Sequence, residues 1–317
     1  MLNRRILRIK AFKQLYAYAE NPGLSLKEVL DSLDTSCEAT RELYLYLLAL
    51  IPALTAEAAR RTEAARAKFN PTEAELHPNL RFVDNAVSAL LEQDPDFQRL
   101  LEKKHFSWDQ NDALLHKLYE TLKTRPYYIA YMEAPESSFA QDARLWADFF
   151  TLELEDDPDL ALILEDKSLY WADDLPYALG VVLRTLEELP RTGRWTLPPL
   201  YQSDVLKAQG KAADDDRTFI RNLVSATYGR FTEYNNLVAA SVSKWDQDRL
   251  YTTDVVLIAM GLAEAECFPD IPVRVSINEY VEISKYYSTP KSRGFVNGLL
   301  DRLIRDRMAQ GLINKSL

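Results

Sequence analysis

The sequence predicts an all-α fold, and three observations carry that reading. Only nine glycines punctuate 317 residues. Leu, Ala, Glu, Arg and Lys, all good helix formers, recur at helical spacing along most of the chain. The period-two alternation of a half-buried strand is scarcely seen. With 47% hydrophobic residues the chain can bury one large core or two smaller ones.

Taken in order, the elements begin with a basic helix. At 100° per residue, Arg4, Arg5 and Arg8 fall within one arc, which Phe12, Leu15 and Tyr16 occupy two turns later. One stripe therefore changes from cationic to apolar along its length. It reads either as arginines presented beyond the packed region or as solubilising charge on a frayed end. The opening MLNRRILRIK is followed by Lys13 and Glu20 rather than an unbroken apolar run, so no secretory signal is expected. The uncharged window from Leu43 to Ala56 contains Pro52 and is too short to span a bilayer. A cytoplasmic protein with no membrane association is the expectation.

Breaks follow at Asn70-Pro71, His77-Pro78 and Arg125-Pro126, then at LPRTGRWTLPPL, residues 189–200. KAQGKAADDD, residues 207–216, reads as a polar link. Within this region KTRPYYIAYM, residues 123–132, combines cations with Tyr127, Tyr128 and Tyr131. That composition suits base stacking, although Tyr127 and Tyr131 share a helical face and also suit a core. Trp146, Phe149 and Phe150 read as core, and the acidic run TLELEDDPD as a solvated face or a surface for a basic protein. Leu169-Tyr170-x-x-Asp173 with Gly180 recurs 81 residues later as Leu250-Tyr251-x-x-Asp254 with Gly261. Phe150 with Phe231 and Glu165 with Asp246 fit the same shift. A degenerate internal duplication and chance similarity between amphipathic helices both account for it.

Charge is unevenly placed. Residues 1–19 hold five Lys or Arg and no acid, and residues 217–317 hold 13 against 11, while the whole chain carries −10. The middle is therefore strongly acidic, and any nucleic-acid contact is expected at the two ends. Enzyme chemistry finds no support: there is no GxG pair, no GxxxxGK[ST] and no metal-binding spacing among His77, His105 and His116. Cys37 and Cys267 form no CxxC. No catalytic residue, metal or cofactor is expected.

Near the C-terminus, Gly294 and Gly298 interrupt the helical pattern of KSRGFVNGLLDRLIRDRM, each costing about 1 kcal/mol relative to Ala. In projection Val296, Leu299, Leu300 and Leu303 form the buried side. The glycines lie opposite, with Asp301 and Arg305. They would admit a partner's backbone or a helix crossing from the inserted region. Pro290 and Ser292 mark a helix start with Ser292 as N-cap. Its free amides, with Lys291 and Arg293, suit an anion, and Phe295 at the seam could stack a base.

Together these stretches resemble a known family. RRILRIKAFKQLY at 4–16 looks like the arginine-rich first helix of the NusB transcription antitermination factors. FIRNLV at 219–224 resembles the start of a later helix, and IPVRVSINEYVEISKYYSTPKSRGFVNGLLDRL at 271–303 is similar to the family signature. Lys291 stands where some members carry an acid. The resemblance implies a non-enzymatic helical bundle that binds boxA-type single-stranded RNA with the ribosomal protein NusE. It also implies service in the RNA polymerase antitermination complex on ribosomal RNA operons. The expected layout is a NusB-like fold from residues 1–35 and 215–317, enlarged by a helical insertion at 36–214.

On this basis the candidate RNA-binding residues are Arg4, Arg5, Arg8, Tyr16, Lys291, Ser292, Arg293 and Phe295. The candidate partner-binding residues are Gly294, Asn297, Gly298 and Asp301. Replacing the three arginines is expected to weaken RNA binding and leave stability nearly unchanged. An accessory factor in ribosomal RNA processing or ribosome assembly is the alternative, as is an interaction scaffold without RNA binding.

Overall fold

A computed structural model describes residues 1–211, 215–242 and 250–315, and among these all regular structure is helical apart from one isolated bridge between Leu2 and Tyr201. The chain divides into two compact units, the first from Met1–Cys37 and Pro199–Leu317, the second from Glu38–Pro198. In chain order, α1 (Arg4–Glu20) and the start of α2 (Leu26–Leu48) belong to the first unit. The second holds α3 (Leu50–Arg66), α4 (Glu73–Leu76), α5 (Ala86–Gln93), α6 (Pro95–Lys104), α7 (Asp112–Lys123), α8 (Pro126–Glu133), α9 (Phe139–Glu153), α10 (Pro158–Lys167) and α11 (Leu175–Thr192). The first unit resumes with α12 (Gln202–Ala208), α13 (Asp216–Gly229), α14 (Phe231–Val242), α15 (Thr252–Cys267), α16 (Val273–Tyr287) and α17 (Ser292–Ala309).

The observed boundary differs from the expected insertion at 36–214, because residues 199–211 go with the first unit. The N-terminus holds them there. The Met1 ammonium donates to the Pro199 carbonyl at 2.7 Å, Leu2 N donates to Leu200 O at 2.7 Å, and Gln202 N donates to Leu2 O at 3.0 Å. Ser203 and Asp216 then tie α12 to α13 through reciprocal bonds of 2.8 and 3.2 Å.

In the first unit α15 is the axis, and α1, α13, α14, α16 and α17 pack around it. Its sequence dictates this: every residue from Asp254 to Ala265 is buried, as a helix that is apolar on all sides requires. Gly261 is the point of closest approach. A Cβ there would lie 2.7 Å from Leu300 Cδ2 and 3.2 Å from the Tyr280 ring, so any other residue would force the Leu300 side chain to shift where α17 and α16 close on α15.

In the second unit Trp146, Phe149 and Phe150 of α9 are wholly buried, and Tyr128 and Tyr131 of α8 are nearly so. The Tyr131 hydroxyl donates to buried Asp142 at 2.7 Å, and the Tyr127 hydroxyl donates to Glu153 at 3.2 Å. The tyrosines of 127–131 therefore serve packing rather than stacking on a ligand. Asn85 Oδ1 accepts from Val87 N and Ser88 N to cap α5 and from Trp146 Nε1 at 2.9 Å, joining a helix start to the aromatic core. Within the acidic run, Asp157 caps α10 and accepts from Lys117 at 2.7 Å.

The helical stretch Leu26–Arg66 is long and apolar enough to cross a membrane by composition, yet 72% of its apolar window is buried inside the protein. Positions paired by the 81-residue shift have different surroundings. Asp173 is exposed while Asp254 is buried, and a Cβ on Gly180 would meet nothing within 4 Å while Gly261 is tightly packed. Asp246, matched to Glu165 in that shift, lies outside the described residues, as do 212–214 of the polar link.

Candidate nucleic-acid interface

The basic end of α1 starts at Asn3, whose side chain accepts from Ile6 N at 3.0 Å. From this start the three arginines go to three different places. Arg8 turns inward and is 97% buried, donating Nε and Nη2 to Glu264 of α15 at 2.7 and 2.9 Å. Ser276 and Tyr280 donate to the same carboxylate at 2.7 and 2.9 Å. Burial alone would lower the Arg8 pKa, but the hydrogen bonds and charge of Glu264 outweigh it and raise the value. Arg8 is thus a core ion pair and is not available to RNA. The helical projection groups it with Arg4 and Arg5 but does not show an acid waiting on a distant helix.

Arg4 is also engaged. Its guanidinium lies 4.8 Å from the centroid of Phe219 and bonds buried Asp216 at 3.2 Å. Arg5 is the outward member: its side chain is 54% exposed and meets Glu279 of α16 at 2.7 and 3.0 Å. Further along α1, Tyr16 is exposed, Phe12 lies 5.4 Å from Tyr287, and the Lys13 ammonium lies over that ring at 5.7 Å.

The other arm is the corner between α16 and α17. Lys285 and Tyr286 end α16 exposed, Tyr286 by 80%, and Lys291 and Arg293 begin α17 exposed. Glu282 lies among them. Lys285 lowers its pKa through a hydrogen bond, and the fields of both Arg293 and Arg5 act in the same direction. The cations of α1 and α17 therefore look onto one stretch of α16. Lys13, Lys285 and Tyr286 were missed in the sequence, although the K-Y-Y of residues 285–287, just before the STPKS turn, was the signal to find them.

Two details correct the expected helix start. The α-helix begins at Ser292 as its first residue, with Lys291 in the N-cap position and no side-chain cap. Ser292 is 2% exposed and its hydroxyl donates to Asp254 at 2.8 Å, so it faces the core and not an anion. Phe295 is half-buried. On the opposite side of α17, Gly294, Asn297 and Gly298 are exposed, and a Cβ on either glycine would meet nothing within 4 Å among the described residues. Asp301 accepts from Arg305 at 2.9 Å. Among the described residues no helix of the first unit crosses at these glycines. Among the same residues no cluster of His, Cys, Asp and Glu could hold a metal ion.

The NusB family model matches residues 194–305. A curated relative in Myxococcus xanthus, "Transcription antitermination protein NusB", is 34% identical over 129 residues, which are 36% of this chain and 92% of the relative. The chain belongs to the NusB family. Relatives of the same name in Salinibacter ruber and Chloroherpeton thalassium are 34% identical over 100 residues and 30% over 130. These matches take 32% and 41% of this chain and span 62% and 57% of the relatives, less than two thirds of their length. No solved structure matches. The NusB model falls on α12–α17 and the stretch just before them, so the exposed corner and the open glycines lie within the part shared with the family.

Proposed function

We propose that this chain is a transcription antitermination factor that binds boxA-type single-stranded RNA together with ribosomal protein NusE and acts in the RNA polymerase antitermination complex. The observation that supports it is that Arg5 of α1, Lys285 of α16 and Arg293 of α17 all act on Glu282 of α16, with Tyr286 and Lys291 exposed at the two ends of the turn that follows and Tyr16 exposed further along α1. Cations neutralise phosphates while exposed rings stack bases, the combination that single strands require. The names of the relatives add the process. The open glycine side of α17 is the surface we assign to the protein partner. The second unit, with 29 acidic and 17 basic residues, would repel RNA and suits a basic protein contact instead.

Binding of a short boxA-like RNA to the full chain, with and without the cognate NusE, tests this. Arg5→Ala, Lys291→Ala and Arg293→Ala together should weaken binding and reduce the log–log salt slope by about 0.7 per lost single-strand contact. NusE should tighten RNA binding, and RNA should tighten NusE binding by the same factor. Unchanged affinity and slope in the triple variant would move the chain to the scaffold reading. RNA binding without any NusE effect would move it to an accessory role in ribosomal RNA processing or ribosome assembly.

A further inference from the structure

Asp254 is 1% exposed, and the described residues place no basic side chain against it. Hydroxyls surround it instead. Ser288 Oγ donates to Oδ1 at 2.6 Å and Ser292 Oγ donates to Oδ2 at 2.8 Å. Thr253 Oγ1 lies 3.0 Å from Ser288 Oγ, and Thr289 Oγ1 lies 2.9 Å from Ser292 Oγ. A hydroxyl carries one proton. With the two serine protons committed to the carboxylate, the threonines become the donors to the serines, and the two serine oxygens, 2.8 Å apart, meet without a proton between them, so one ionised group sets the direction of the four bonds and leaves that fifth contact unbonded. The four hydroxyls come from the first turn of α15, the residue after α16, the turn itself and the first residue of α17. Burial raises the Asp254 carboxyl pKa while the two serine bonds oppose the rise, as in a carboxylate solvated by protein in place of water.

We propose that Asp254 is the positioning residue of the α16–α17 corner, fixing Tyr286 at one end of the turn relative to Lys291 and Arg293 at the other. This rests on the RNA-binding reading of that face. Asparagine is the informative replacement. It has nearly the same shape but one acceptor oxygen and an NH₂ in place of the second, so one serine must reverse its hydroxyl or lose its bond.

The experiment uses the full chain and two readings: amide hydrogen exchange across residues 285–295 and across α1, and affinity for a short boxA-like RNA. Asp254→Asn should speed exchange in the corner about tenfold or more and weaken RNA binding by a similar factor, since charge-assisted bonds are lost, with α1 protection unchanged. Ser288→Ala with Ser292→Ala should do the same, and adding Asp254→Asn to that pair should add little, because the groups act as one unit. If Asp254→Asn loosens the whole first unit, the milder Ser292→Ala decides by the same two readings. Corner exchange equal to wild type, or faster exchange with unchanged RNA affinity, overturns the inference. A wild-type chain that fails to bind the RNA overturns the parent reading and this role with it.

Discussion

Replacing Arg8 is the sharpest test of the fold around the candidate interface. Its side chain is 4% exposed and that of Glu264 is 0% exposed, so neither charge has water to fall back on. Arg8→Ala leaves Glu264 with two of its four donors, the hydroxyls of Ser276 and Tyr280. Breaking a buried pair from one side costs about 3 to 5 kcal/mol. At roughly 2 to 4 °C per kcal/mol for a domain of this size, the first unit should melt about 6 to 20 °C lower. Arg5→Ala removes a half-exposed pair worth about 0 to 1 kcal/mol. Removing the three arginines should therefore carry a structural cost, the largest at Arg8 and a smaller one at Arg4, which bonds buried Asp216. Urea and thermal unfolding, with hydrogen exchange in α15 and α16 to report the first unit, make the comparison. A control removes both charges: Arg8→Met with Glu264→Gln retains an acceptor for the two hydroxyls and should recover much of the loss. If Arg8→Ala and Arg5→Ala unfold alike, Arg8 is not a core pair and the account of α1 is wrong.

Two further outcomes are expected. Gly298→Leu should leave the melting temperature unchanged or raise stability by up to about 1 kcal/mol, because the site is open and glycine is a poor helix former. It should also impair capture of the cognate NusE, and a fall in melting temperature would show that the face is covered. In the α4 turn, hydrogen bonds from Lys68 and then from the Thr72 amide and hydroxyl hold the Glu75 carboxyl at about 2, below its ordinary 4.5. A depressed carboxyl contributes its stabilisation above pH 4.5 and loses it as pH falls toward about 2. A carboxyl-carbon NMR titration should find that low midpoint, and Lys68→Met should move it up.

What could be read in the sequence was what depends on neighbours. The glycine side of α17 followed from helical projection, and a Pro290-Lys291-Ser292 step located a helix start because proline and short polar residues act within one turn. The destination of the Ser292 hydroxyl did not follow, since Asp254 lies 38 residues away and looks like any acid in a first turn. Arg8 failed for the same reason on a larger scale. The boundary at Pro199 was visible as proline-rich punctuation, but the side on which residues 199–211 fall was decided by backbone bonds to Met1 and Leu2, which carry no side-chain signature. Tyr286 was legible, because a Lys-Tyr-Tyr triplet just before a turn combines a cation with rings at a helix end.

The first unit is built from the two ends of the chain, with an uninterrupted second unit between them, and this sets an order in time. Arg8 and Glu264 are 256 residues apart, so at about 5 to 20 residues per second a ribosome needs roughly 10 to 50 seconds to deliver the acid after the arginine. The second unit, residues 38–198, is complete before Asp216, Glu264 or Glu279 has been made, and up to that point the opening 19 residues, five cations and no acid, lack every carboxylate that later engages Arg4, Arg5 and Arg8. The nascent protein therefore carries a cationic segment whose arginines have none of their later partners, and α15 and α16 must emerge before Arg8 is withdrawn into the core and Arg5 is left as the outward one.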